Sequence, residues 1–154
     1  MGALLISEWL AGAEGEPIVD EASIALARER VRERGAAAEM PDAAVARLVN
    51  VASELAHNQL RHARRGQLAI VDVMREGVAG LEVVAVDRGP GIDDPAKALR
   101  GEPRMPDGSG RVTSLGIGLA AVIELSDEVD FDVRLGEGTC VRARVFGRLP
   151  VKRR

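Results

Sequence analysis

Glu54, Asn58 and His62 stand four residues apart in SELAHNQLRHA (53–63), inside a segment otherwise rich in Ala, Leu and Val. Steps of four line three side chains up along a helix, within reach of one ligand, although a polar stripe is also the ordinary outer face of an amphipathic helix. Two glycine clusters carry a second kind of chemistry. DRGPGI (87–92) closes a strand-like run, and SLGIGL (114–119) opens a helix-like one. An Asp at a strand end, followed by glycines that keep the rim open, can accept a hydrogen bond from an exocyclic amine such as that of adenine. Glycines at a helix start let a phosphate approach backbone N–H groups at the positive end of the helix dipole. Singly, each cluster is equally a turn.

The elements that must position these residues follow from periodicity. Asp20 is an N-cap for a helix running to Arg34, with Gly35 as its stop. Pro41-Asp42 opens a second helix that ends at Gly66, with apolar positions Val45, Leu48, Ala52, Leu55, Ala56, Gln59/Leu60 and Ala63. Gln67–Arg75 and Leu81–Val86 read as a hairpin around Glu76–Gly80. Residues 88–113 hold Gly, Pro, Asp and Arg without an apolar period, and a loop of that length is usually functional or mobile. Ser114–Leu125 is helical. Glu128–Leu135 and Thr139–Phe146 flank Gly136-Glu-Gly138 as a second hairpin.

Phe131, Val133 and Leu135 alternate with Asp130, Asp132 and Arg134, and Val141, Ala143 and Val145 alternate with Arg142 and Arg144. One sheet face is therefore apolar and the other charged. The order helix, helix, hairpin, helix, hairpin gives an α/β (α+β) two-layer sandwich: a mixed, largely antiparallel sheet with helices on one face. Residues 1–16 are an N-terminal arm or short strand, 17–147 the folded domain and 148–154 a basic tail.

Composition narrows the function. At 154 residues and 46% hydrophobic the chain holds one core and little room for a second. A net charge of −3 and only Trp9, Phe131 and Phe146 as aromatics argue against a nucleic-acid partner. Cys140 is the single cysteine, which excludes an internal disulfide, and two histidines without a Cys pair make a structural zinc site implausible. A buried or half-buried strand position suits Cys140 better than a reactive one. Glu8 interrupts the apolar N-terminal run and no basic leader precedes it, so the expectation is a cytoplasmic protein without a membrane span.

Taken in order, the chain reads E-x-x-x-N on a helix, D-x-G-x-G after a strand, a long loop, G-x-G-L opening a helix, and G-x-G-T entering the last strand. This resembles the GHKL ATPase superfamily, with its Bergerat (histidine-kinase-like ATPase) fold, from about residue 17 to 147. SELA-x-N, DxGPGI and LG-x-GL, with Asp127-Glu128 near the helix end, are most similar to the anti-sigma-factor and serine-kinase branch, and within it to switch serine/threonine kinases of the RsbT type.

The resemblance implies ATP and Mg2+ as cofactors. By position it makes Glu54 the catalytic residue that orients or deprotonates the nucleophile, and Asn58 the magnesium ligand. It makes Asp87 the adenine-binding carboxylate, helped by Thr139, with Gly89, Gly91 and Ile92 at the pocket rim. Leu115, Gly116, Gly118 and Leu119 belong to the phosphate-binding helix start, and residues 93–113 to a lid. Among the lid bases Lys97, Arg100, Arg104 and Arg111, Arg111 lies nearest the phosphate glycines in sequence. Arg61 and His62 are secondary positions, and Asn50 is a surface continuation of the stripe.

The chain ends soon after the last expected strand, which argues against the gyrase, mismatch-repair and chaperone branches. His57 and His62 fall inside the ATP motif, so neither suits a phosphoacceptor. The resemblance then implies a serine/threonine protein kinase acting on a STAS-domain antagonist in bacterial partner switching. Its alternative is an anti-sigma factor or regulatory binding protein that sequesters a sigma factor or activates a phosphatase. It also admits a homodimer.

Overall fold

The computed structural model describes residues 15–62, 66–87, 114–134 and 138–147. After a short strand β1 (Glu16–Ile18), helix α1 spans Glu21–Ala37. Asp20 caps it as its residue type demands: its Oδ1 accepts from the Ser23 N–H at 2.8 Å, and Ser23 Oγ accepts from the Asp20 N–H at 3.1 Å.

The expected stop at Gly35 is corrected. Gly35 is buried inside α1, where an added Cβ would lie 2.6 Å from Val45 Cγ2 of the next helix. It is a contact glycine that lets two helix backbones approach. The helix ends instead at Ala37, and the chain turns away at Glu39, whose φ of 55° is left-handed. Met40 N–H returns to Gly35 O and Glu39 N–H to Ala36 O, both at 3.0 Å, which is the Schellman pattern.

Helix α2 spans Asp42–His62 and packs against both α1 and the third helix, α3 (Ser114–Leu125). Strands β2 (Gly66–Arg75) and β3 (Val78–Asp87) form a hairpin tighter than expected. Arg75 pairs with Val78, leaving a two-residue turn, Glu76-Gly77, with φ of 49° and 78°. Two positive φ values match the twist of the strands, which is why two residues suffice. Gly80, read as part of the turn, lies in β3, where a Cβ would meet Val145 O at 2.6 Å.

Strands β4 (Glu128–Arg134) and β5 (Gly138–Phe146) complete a five-stranded sheet of order β1-β2-β3-β5-β4, antiparallel at every pairing. Register sorts its faces. Leu81, Val83 and Ala85 of β3 and Val141, Ala143 and Val145 of β5 join Ile24, Val31, Leu48, Val51, Leu55 and Val122 of the helices in one core. The opposite face carries ion pairs: Glu82 with Arg144 at 2.8 Å, Arg144 with Glu128 at 3.0 Å, Arg75 with Glu128 at 2.6 Å and Arg142 with Asp130 at 3.4 Å. That face is less uniformly charged than the alternation in β4 and β5 suggests, because Ala69, Val84, Val86 and Cys140 are buried on it. No helix among the described residues is long and apolar enough to cross a membrane.

Candidate nucleotide site

Along α2 the polar row goes progressively inward. Asn50 is exposed, Glu54 is half-buried and Asn58 is only 8% exposed. The Asn58 Nδ2 is buried and has no hydrogen-bond partner. An unmatched donor of this kind is uncommon inside a protein and marks a place where a ligand group fits. The amide offers an oxygen to a hard cation and an N–H to a phosphate oxygen. Mg2+ characteristically takes one or two protein oxygens beside substrate phosphates, so this donor set suits it.

A second row crosses the sheet. Gly66 of β2 is the register partner of Asp87 of β3, and Asp87 that of Thr139 of β5. Directly opposed residues point to the same side. Asp87 shares the parity of Leu81, Val83 and Ala85, so the row Gly66–Asp87–Thr139 faces the helices. The Asp87 charge reaches the next residue of β5 as well. Burial pushes the Cys140 thiol up to about 12, with the Asp87 carboxylate and then Asp132 adding to the rise against Arg142.

Two side chains lock helix to sheet around these rows. Gln59, beside Asn58, is 4% exposed and donates from Nε2 to Gln67 O at 3.0 Å and to Val86 O at 3.1 Å. Periodicity placed Gln59 in the apolar stripe. Its burial was legible, but its two carbonyl partners lie far away in sequence. Asp127 is the other lock. Its Oδ2 accepts from Phe146 N–H at 2.8 Å, its own N–H donates to Arg144 O at 2.8 Å, and Arg47 reaches Asp127 at 3.4 Å and Leu125 O at 3.2 Å.

The Arg47–Leu125 contact fixes the relative direction of α2 and α3. The end of α3 sits near the start of α2, so the two helices run oppositely. With 12 residues, α3 is about 18 Å long, close to the rise from Arg47 to Asn58. An antiparallel helix of this length brings its first turn, which includes Gly116, towards the Asn58 end of α2, and the N–H groups of a first turn have no partner within their own helix. Leu119 is 6% exposed and faces the core. His57 points elsewhere: its Nδ1 is 2.8 Å from Ser53 O, and its Nε2 is 3.4 Å from Glu21 of α1. Gly89, Gly91, Ile92, Arg111 and the expected lid lie outside the described residues, as do the side chains of His62 and Leu115.

Among the described residues, one sheet face thus carries three helices, an inward amide on one of them and a carboxylate at a strand end. The family model described as Histidine kinase-like ATPase domain matches residues 19–145. The chain belongs to the histidine kinase-like ATPase family. Serine/threonine-protein kinase RsbT of Bacillus subtilis (strain 168) is a relative of this ATPase-family chain, 40% identical over 98 residues that cover 64% of this chain and 69% of RsbT. The fold of the family member is also that of full-length ShkA in complex with AMPPNP. The two superpose with a TM-score of 0.51 at 20% identity over 89% of this chain, which spans 32% of ShkA.

Proposed function

We propose that this chain is an ATP-dependent protein serine/threonine kinase of a partner-switching pathway, acting on a hydroxyl of a STAS-domain antagonist. The observation that carries the reading is the buried Asn58 side chain, its amide nitrogen unmatched, one turn from the half-buried carboxylate of Glu54. The 40% identity to a protein named as a serine/threonine kinase supports the class of acceptor.

In this reading Asp87, with Thr139 beside it, accepts the adenine amine. The first turn of α3 turns its backbone N–H groups to the phosphates. Glu54 orients the acceptor hydroxyl and takes its proton as the oxygen attacks the γ-phosphorus. The bond from that phosphorus to the β-bridging oxygen breaks, and ADP leaves with the electron pair. Asn58 would supply a protein oxygen to hold Mg2+, which would offset phosphate charge.

The test is transfer from γ-labelled ATP to a STAS-domain protein encoded beside this chain. Glu54→Gln keeps the side chain's size and is expected to hold ATP while slowing transfer by about 10²-fold or more. Transfer by Glu54→Gln at the wild-type rate overturns the role of Glu54. Tight binding of a sigma factor without transfer to any protein replaces the kinase by a sequestering anti-sigma factor.

A further inference from the structure

The Gln59 amide is oriented by its surroundings. Both Gln67 O and Val86 O are acceptors, so the NH₂ must face them and Oε1 must face away. That Oε1 is buried and has no hydrogen-bond partner. It occupies the place of the side chain that Gly66 lacks: a Cβ on Gly66 would lie 2.7 Å from the Cβ, Cδ and Oε1 of Gln59. Since Gly66 opposes Asp87 in register, this acceptor stands about one strand spacing from the Asp87 Cβ, on the helix side of the sheet. The same residue grips the carbonyl immediately before Asp87 and adjoins Asn58.

We infer that Gln59 is a specificity-determining residue for the purine base, an inference that rests on the nucleotide-site reading above. Its Nε2 fixes the strand ends that hold Asp87, and its Oε1 is a second acceptor for the purine 6-amino group. An exocyclic amine has two hydrogens, and Asp87 takes one. A 6-oxo purine would bring its carbonyl oxygen against two acceptors and be rejected. Gln59 is thus a positioning residue for Asp87 as well as a contact of the base, and it joins the base end of the site to the metal end at Asn58.

The experiment compares ATP and GTP binding by calorimetry for wild type, Gln59→Met and Gly66→Ala, with thermal melts alongside. Gln59→Met keeps length but loses both donors and the acceptor. Gly66→Ala leaves Gln59 intact and displaces it. Each variant is expected to bind ATP about tenfold more weakly, with the preference for ATP over GTP falling by a similar factor. Packing alone would lower the melting temperature and leave the ATP-to-GTP ratio unchanged. An unchanged ratio in whichever variant stays folded, beside a wild type that prefers ATP, overturns the role of Gln59. A wild type that binds no nucleotide overturns the site reading itself, a result distinguishable from the first.

Discussion

Asp87 and Thr139 oppose each other at one register position of β3 and β5, on the helix-covered side of the sheet. The pairing gives an acceptor and a hydroxyl side by side where a base would lie. Asp87→Asn presents either an oxygen or an NH₂ and is expected to weaken ATP binding by about 1.5–3 kcal/mol, the range for a hydrogen bond to a charged group. Calorimetry with ATP and GTP checks it. Equal affinity of the wild type for the two nucleotides removes Asp87 from the base site.

The proposed role of Asn58 predicts a trade of stability for binding. Its buried Nδ2 has no partner, and an unmatched donor costs more than an apolar group of similar shape. Asn58→Leu is expected to raise the stability of the nucleotide-free protein by about 1 kcal/mol while abolishing magnesium-dependent ATP binding. Denaturant melts without nucleotide and calorimetry with Mg-ATP read the two effects separately. A variant less stable than wild type shows that the amide is satisfied by the fold.

The turn from α1 to α2 makes two opposite predictions four residues apart. Glu39 is held at a φ of 55° on an exposed position, so Glu39→Gly is expected to stabilise by about 1 kcal/mol. Gly35→Ala places a methyl against Val45 and is expected to destabilise by about 1–3 kcal/mol, with Val45→Ala recovering part of the loss in the double variant. Urea titrations of the four proteins measure all of this.

Cys140 sets an alkaline limit. Its thiol is raised from 9.0 to about 12 in the folded chain, first by burial. Above pH 9 the unfolded chain loses this proton while the folded chain keeps it, so the contribution is complete below 9 and is lost as pH rises towards 12. Wild type is expected to lose stability over that window more steeply than Cys140→Ala. The thiol is also expected to label slowly with a maleimide at pH 8; rapid labelling of folded protein contradicts its burial.

The architecture was readable from the sequence because periods of 3.6 and 2 survive translation into burial: α2, the two hairpins and α3 fall where those periods put them. Local punctuation was less readable. Gly35 has the composition of a helix stop, but Val45 crosses α1 there, and a glycine is needed for approach rather than for a turn. Gly77 and Gly80 bracket Val78 and Ala79 and give the run the composition of a turn, so β3 was expected to begin three residues later; pairing with β2, and for Gly80 also with β5, holds them in the sheet. Glu54, Asn58, Asp87 and Thr139, the residues of the proposed site, were named from residue type, spacing and resemblance, and the fold adds that Asn58 points inward and that Asp87 opposes Thr139. Gln59 was not, because its meaning depends on the carbonyls of residues 67 and 86, which only the fold brings to it. Asp127 stood out in the sequence, but its bonds to Arg47, Arg144 and Phe146 required the sheet order.

The strand order carries a consequence for the timing of biosynthesis. β5 lies between β3 and β4, so β4 pairs with nothing until β5 has been made, and the row that ends at Thr139 lacks its last member until the same moment. On the ribosome, the three described helices and the β2–β3 hairpin emerge before Thr139, which completes the base site in the proposed reading. Closing β5 onto β3 must then bridge all of residues 88–137, a long-range step of the kind that slows folding. If the proposed site is right, a nascent chain halted before Gly138 carries Glu54, Asn58 and Asp87 without the strand that completes the base site, and nucleotide binding is expected to arrive together with that final strand.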